Sequence, residues 1–276
     1  MTLHQLPIAN KERVIIVGAG IGGLAASLRL SHMGYNVKVF ETAQTGGGKL
    51  RTITGQTGEI DIGPTVLTLL PVFQNLFKSV GEDIFEHIEL VRQKIIARHW
   101  WPDGETLDLY DDFETSRDAI LNFSGSDSAK EFEKYFYDTR DLFSCFDIPV
   151  MRNPNPSMLD MNYAVLNNPK ILFKMHPLRT LSSLLNYKFR DSRLQQLFGR
   201  YSTYVGGSPL ESPALLSLIW QAEARGVWSI KGGMKKLARV LEKLAKDRGA
   251  SFHYSTAVKE LNIKCDRLVS VTDNLN

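Results

Sequence analysis

Three glycines, Gly18, Gly20 and Gly23, stand in the spacing GxGxxG, and Glu41 closes the run Val37-Lys38-Val39-Phe40 that follows them. Glycines so placed let a chain turn tightly, bring backbone N–H groups against a pyrophosphate and pack a helix closely on a strand. An acid about 20 residues on then accepts hydrogen bonds from ribose hydroxyls. The charge of Glu41 also repels a 2′-phosphate, which disfavours NADP. A second group, Gly46, Gly47 and Gly48, is followed by Lys49. A plain nicotinamide-binding domain would instead continue there toward its next helix. The first glycine run and Glu41, in the order strand, turn, helix, strand and terminal acid, predict dinucleotide binding. The other candidates are weaker. His99 could act as an acid or base, yet no partner is visible for it and it reads as structural. Trp100 and Trp101 could line a substrate site, although aromatics on hairpins also fill cores. Glu223 and Arg225 form the one charged pair worth nominating, with a structural salt bridge as the plainer reading. The catalytic residue stays unassigned. Cys145 and Cys265 lie far apart with no CxxC or Cys/His cluster, so neither a disulfide framework nor a metal site is expected.

The elements that must position these residues follow from periodicity. Residues 13–17 read as a buried strand, 18–23 as a turn, 21–34 as a helix ended by Gly34, and 36–41 as a second strand, which makes a βαβ unit. A helix is expected over 71–89 with a break at Gly81. A hairpin is expected over 97–109 around Pro102-Asp103-Gly104, since that turn chemistry separates two strand-like runs. Residues 124–146 and 234–248 read as helices, 149–156 as a linker, and 250–254 and 257–263 as strands. Between Asp160 and Asp191 the sequence holds no acid but carries Lys170, Lys174, His176, Arg179 and Lys188 among apolar residues. Such a basic amphipathic segment suits either the headgroup layer of a membrane or a solvated pair of helices.

At 276 residues, 43% hydrophobic and 23% charged, the chain can bury one large core or two modest ones. A formal charge of +3 without a dense basic block excludes nucleic acid as a partner. The run 14–26 follows Lys11 and Arg13 as an export signal would, but its glycines break the apolar block such a signal needs. No stretch reaches the about 18 apolar residues of a membrane span. A cytoplasmic protein is expected, with any membrane contact peripheral.

The order of Glu41, then Gly47-Gly48-Lys49, then Asp61-Ile62-Gly63-Pro64-Thr65 resembles the FAD-dependent amine oxidase and phytoene desaturase superfamily. The resemblance implies an α/β fold, a Rossmann-like FAD-binding domain with an inserted, partly helical substrate domain. It divides the chain into a FAD-binding βαβ portion (1–70), a substrate- or membrane-facing portion (71–230) that includes the hairpin, and a return to the FAD-binding domain (231–276). It also implies that the second glycine loop and Lys49 lie along the FAD pyrophosphate, that Gly63, Pro64 and Thr65 lie near the isoalloxazine, and that Val258 meets the adenine through its backbone. GRYSTYVGGSP (199–209) and IWQAEARGVWSIKGGMKKLA (219–238) are similar to bacterial carotenoid desaturases, especially the methoxyneurosporene dehydrogenase and 1-hydroxycarotenoid 3,4-desaturase branch. The implied reaction removes two hydrogens from a saturated C–C bond beside the polyene of an acyclic carotenoid. Members of that family continue past the position of Asn276, so the chain is expected to be a C-terminally incomplete, inactive part. Two rival readings are an amine-oxidase-like flavoprotein with a small polar substrate and a non-enzymatic lipid carrier on the same fold. Retention of Glu41 and both glycine loops argues against the carrier.

Overall fold

The computed structural model describes residues 12–56, 58–264 and 267–273. The chain forms two units, one built from Met1–Arg92 and Trp228–Asn276, the other from Gln93–Val227. The boundary expected at residue 70 therefore lies at 92, and the return expected at 231 begins at 228.

The first unit opens with β1 (Arg13–Val17), α1 (Ile21–His32) and β2 (Asn36–Phe40), followed by β3 (Thr52–Gly55), β4 (Gly58–Asp61), α2 (Leu70–Lys78), α3 (Ile84–His87) and β5 (Leu90–Arg92). β1 and β2 pair in parallel, Arg13 opposite Asn36 through Val17 opposite Phe40. The helix expected over 71–89 breaks where it was expected to, at Gly81, whose φ of +77 ends a helix and favours glycine, and the two pieces are α2 and α3. The antiparallel hairpin of β3 and β4 brings Asp61 opposite Thr52.

The second unit contains β6 (Ile95–Trp100), β7 (Thr106–Tyr110), α4 (Phe113–Phe146), α5 (Met158–Asn167), α6 (Lys170–Met175), α7 (Leu181–Lys188), α8 (Ser192–Gly199) and α9 (Gln221–Ala224). β6 and β7 form the expected hairpin. The helix expected from 124 begins eleven residues earlier, at Phe113, where the Asp112 carboxylate caps Thr115 N at 2.8 Å. It kinks at Gly125, whose φ of 86° and ψ of 177° no other residue adopts readily. The core is aromatic: Phe132, Tyr135, Phe189, Phe198, Tyr201 and Trp220 are all buried, and Trp220 Nε1 donates to Thr139 Oγ1 at 2.7 Å. Each such ring removes 150–250 Å² from water, so this cluster dominates the unit's stability. The stretch expected as a linker lies inside this unit. Residues Asp147–Met151 form a wide helical turn, and Arg152 grips Asp147 with two bonds of 2.8 Å. Cys145 is unpaired, and Cys265 lies outside the described residues.

The chain then returns to the first unit with β8 (Trp228–Ile230), α10 (Lys235–Asp247), β9 (Ser251–His253), β10 (Val258–Lys264) and β11 (Arg267–Asp273). β9 adds in parallel to β2, giving the sheet order β1-β2-β9, while β8 pairs with β5 and β10 with β11, both antiparallel. In α10, Leu237, Ala238, Leu241, Leu244 and Ala245 recur at helical spacing and are buried. They share one core with Leu24 and Leu28 of α1 and Val37 and Val39 of β2. Gly249 at φ +91 stops the helix.

Candidate functional site

The parallel pair β1 and β2 delivers both halves of the first glycine motif to one end of the sheet. Gly18, at φ +95, donates from its N–H to Phe40 O at 2.7 Å. A Cβ at Gly23 would stand 2.0 Å from Gly18 O, so only glycine lets α1 pack this closely on the turn. At Gly20 the same atom would meet nothing within 4 Å. The first turn of α1 has no side-chain cap and no acidic residue, which leaves backbone donors and the positive end of the helix dipole facing outward. Val17 and Ile21, although apolar, are exposed on either side of this loop.

Glu41 lies across the loop. Its carboxylate accepts from Ala19 N at 2.6 Å and from Ala43 N at 2.8 Å, which fixes it while lone pairs remain on both oxygens for hydroxyl donors. Behind it, Glu41 N donates to His253 O and Thr256 N donates to Glu41 O, both at 2.9 Å, so β9 and the approach to Val258 are tied to the same point. Val258 itself begins β10, opposite Asp273.

The second glycine loop docks on the first. Gly47 N donates to Ala19 O at 2.7 Å, and a Cβ at Gly48 would stand 2.9 Å from the Gly20 Cα. Gly47 takes φ +123 and Gly48 φ +58. Lys49 is exposed. Gly63 backs onto its carbonyl, since a Cβ there would lie 1.9 Å from Lys49 O, and residues 62–66, with apolar Ile62 and Val66, form an exposed run beside the loop. The structure thus brings together Gly18, Gly20, Gly23, Glu41, Gly47, Gly48, Lys49 and the segment Gly63, Pro64 and Thr65.

Two residues of this site had no role assigned from the sequence, although Asp61 opens the Asp61–Thr65 segment that carries the family resemblance. Lys235, 8% exposed, donates from Nζ to Gly46 O at 2.6 Å and to Thr45 Oγ1 at 3.1 Å. Its signal was its phase, three residues before Ala238 on the buried face of α10. Asp61 accepts from Met234 N at 2.8 Å through Oδ2, while its Oδ1 is buried without a partner among the described residues. Gly233 is required here, because at φ +83 its Cβ would lie 2.9 Å from that Oδ2.

In the second unit, Glu223 pairs with Arg200 rather than with Arg225. Its buried carboxylate accepts from Arg200 Nη2 at 2.6 Å, from Tyr201 Oη at 2.7 Å and from the Tyr204 hydroxyl. Arg225 instead donates to Ser144 Oγ at 3.2 Å and lies over the Phe143 ring. Trp100 is exposed, while Trp101 donates from Nε1 to Gln196 Oε1 at 2.9 Å and packs beside His99. Burial first, and the charge of Arg200 second, lower the His99 pKa to about 4, and its Nε2 has no hydrogen-bond partner among the described residues.

The flavin containing amine oxidoreductases match residues 21–274 of this sequence. The chain belongs to that family. Relatives include the hydroxyneurosporene desaturases of Cereibacter sphaeroides, 43% identical over 90% of this chain and 50% of the relative, and of Rhodobacter capsulatus, 41% identical over 95% and 53%. Among solved structures, a triple mutant of putrescine oxidase superposes with a TM-score of 0.62 at 16% identity, covering 96% of this chain and 54% of its own, which speaks to the fold alone. The chain spans about half the length of the curated relatives it matches.

Membership in the flavin containing amine oxidoreductases implies a flavin cofactor. Open space in front of Gly20, uncapped donors on α1, exposed Val17 and Ile21, and a fixed carboxylate are what a pyrophosphate with a ribose on one side would fill.

Proposed function

We propose that this chain is the FAD-binding part of an oxidoreductase that desaturates a hydroxylated acyclic carotenoid. The observation that carries the cofactor half is the contact between the two glycine loops with Glu41 bonded across them. Gly18, Gly20, Gly23, Gly47, Gly48 and Lys49 would hold the pyrophosphate, Glu41 the ribose, the backbone at Val258 the adenine, and Gly63, Pro64 and Thr65 the ring system. The substrate half is supported by the likeness to hydroxyneurosporene desaturases over 90% or more of the chain.

A bound flavin supplies the two-electron oxidant that a C–C desaturation requires. The chain's own residues bind and orient. The α1 donors and the second loop fix the phosphates, Glu41 fixes the ribose, and the exposed run 62–66 offers apolar surface that a planar ring system would cover. Such positioning contributes about 7–11 kcal/mol of barrier lowering when the reacting groups are well oriented.

The membrane-facing reading rests on a different surface from the one the charges suggested. Lys174 and Lys188 are bonded to Asp138 and Asp141 of α4 and so belong to the unit's own ion pairs. The outward surface carries large apolar side chains: Leu159, Tyr163 and Leu166 on one stripe of α5, Phe173 on α6, and Leu178 after it. No helix among the described residues is long and apolar enough to cross a membrane. We therefore assign this stripe, with Lys170 and Arg179 at its edge, to a peripheral membrane contact.

A hybrid in which this chain replaces the matching part of the Cereibacter sphaeroides relative tests the function. Expressed with hydroxylated and plain acyclic carotenoids, it should retain FAD and produce a longer polyene, read by pigment chromatography. FAD retention without desaturation of any acyclic carotenoid would refute the substrate half.

A further inference from the structure

The ammonium of Lys235 presents a physical problem. The residue is 8% exposed, and its two partners, Gly46 O and Thr45 Oγ1, are neutral. No carboxylate of the described residues lies within ion-pair distance of it. Glu59, whose carboxylate does feel the lysine's charge, is held by Arg239 at 2.8 and 2.9 Å. A lysine carries three donors and two are used. An interior cation without a counter-charge is costly, and buried charges in native proteins are paired or coordinate an oppositely charged group.

The lysine sits against the second glycine loop: Nζ lies 3.2 Å from where a Cβ of Gly47 would stand. The Gly46–Gly47 peptide links it to the first loop, because Gly47 N donates to Ala19 O while the Gly46 carbonyl, on the opposite side of the same peptide, accepts from the lysine. That orientation tilts the Gly46–Gly47 peptide dipole, its N–H end directed to the first glycine loop and its carbonyl end anchored on the cation. Gly47 can hold this tilt because it takes φ +123.

We propose that Lys235 is a positioning residue for the diphosphate of the dinucleotide, acting from behind the second glycine loop. It fixes the loop through Gly46 and completes its own electrostatics when the diphosphate binds in front. The inference rests on the FAD reading above and adds to it a residue outside both glycine motifs. Lys49 and Lys235 then have separable roles. Lys49 is exposed, so salt screens what it contributes, whereas a buried cation is screened much less.

The test uses the chain with adenosine, ADP and FAD as probes, titrated by calorimetry at low and at high salt, in wild type, Lys235→Met, Lys235→Gln and Lys49→Met. Lys235→Gln keeps a donor toward Gly46 while removing the charge, so it reports even where Lys235→Met unfolds. Expected is a loss of ADP and FAD affinity of about tenfold or more in both Lys235 variants, persisting at high salt, with adenosine affinity changed by less than about twofold. In Lys49→Met the loss should fade as salt rises. Equal weakening of adenosine and ADP would make Lys235 a purely structural residue and overturn the proposal, as would unchanged ADP affinity. Wild type that binds none of the three probes would instead refute the FAD reading itself, and this inference with it.

Discussion

At the residue scale the glycines divide by what they accommodate. Gly23 and Gly63 serve the protein's own packing, with a Cβ 2.0 Å from Gly18 O and 1.9 Å from Lys49 O respectively. Gly20 is different, since a side chain there meets no protein atom within 4 Å and its backbone is not in the left-handed region. Among the described residues that space is empty, and the proposed cofactor would use it. Gly20→Val should therefore melt within about 1 kcal/mol of wild type, as a substitution into open space does, while losing flavin on purification. Normal flavin absorbance in the folded variant would count against the assigned cofactor site. GxGxxG and Glu41 were legible because their spacing is local and their chemistry specific. Lys235 was not: its phase with Ala238 sets it, rather than Lys236, on the buried face of α10, but its partner Gly46 lies 189 residues away. The Glu223–Arg225 pair was misread for the same reason: neighbours in sequence were preferred to Arg200, 23 residues off.

At the element scale, β1, α1, β2 and the hairpin were legible in near-final form because alternation, helical phase and turn residues agree there. The first half of α4 was not, since Ser116, Ser124 and Gly125 dilute its helical pattern and Asp112 supplies the start by a cap. The hairpin also carries a titration. His99 on β6 sits with Arg200 and Glu223 of the second unit and near Asp108 of β7, and burial, then Arg200, lower its pKa from 6.5 to about 4. The unfolded chain binds a proton at this residue below pH 6.5 and the folded chain does so only below about 4. Between those values the unfolded state holds more protons, so stability falls with falling pH over that window, by at most one proton's worth of slope from this residue. Denaturant melts at pH 7 and pH 5 should show a smaller acid loss in His99→Phe than in wild type. Equal losses in the two proteins would mean that His99 is protonated freely in the folded state.

At the scale of the whole molecule, the sequence placed a basic amphipathic segment at 158–189 but could not tell which of its charges were already used. Asp138 and Asp141, on a helix that precedes the segment, take Lys174 and Lys188, and that pairing is invisible to a count of acids inside the segment. On the proposed membrane contact, the remaining attraction to an anionic surface would come from Lys170 and Arg179, at about 1 kcal/mol each. The apolar contribution is larger: Leu159, Leu166, Phe173 and Leu178 are 78, 77, 81 and 99% exposed, and full insertion of such a side chain contributes about 1.5–3 kcal/mol. Hydrophobic insertion should therefore outweigh charge. Leu159→Ser with Leu166→Ser and Phe173→Ser should abolish flotation with vesicles and leave the melting temperature unchanged, because none of the three is part of the unit's core. Lys170→Glu should weaken flotation only slightly. Lys174→Glu should lower stability, since it sets a third acid against Asp138 and Asp141. If the charge variant alone released the protein from vesicles while the triple serine variant stayed bound, the contact would be electrostatic and the α5 stripe would have to be covered by something other than lipid.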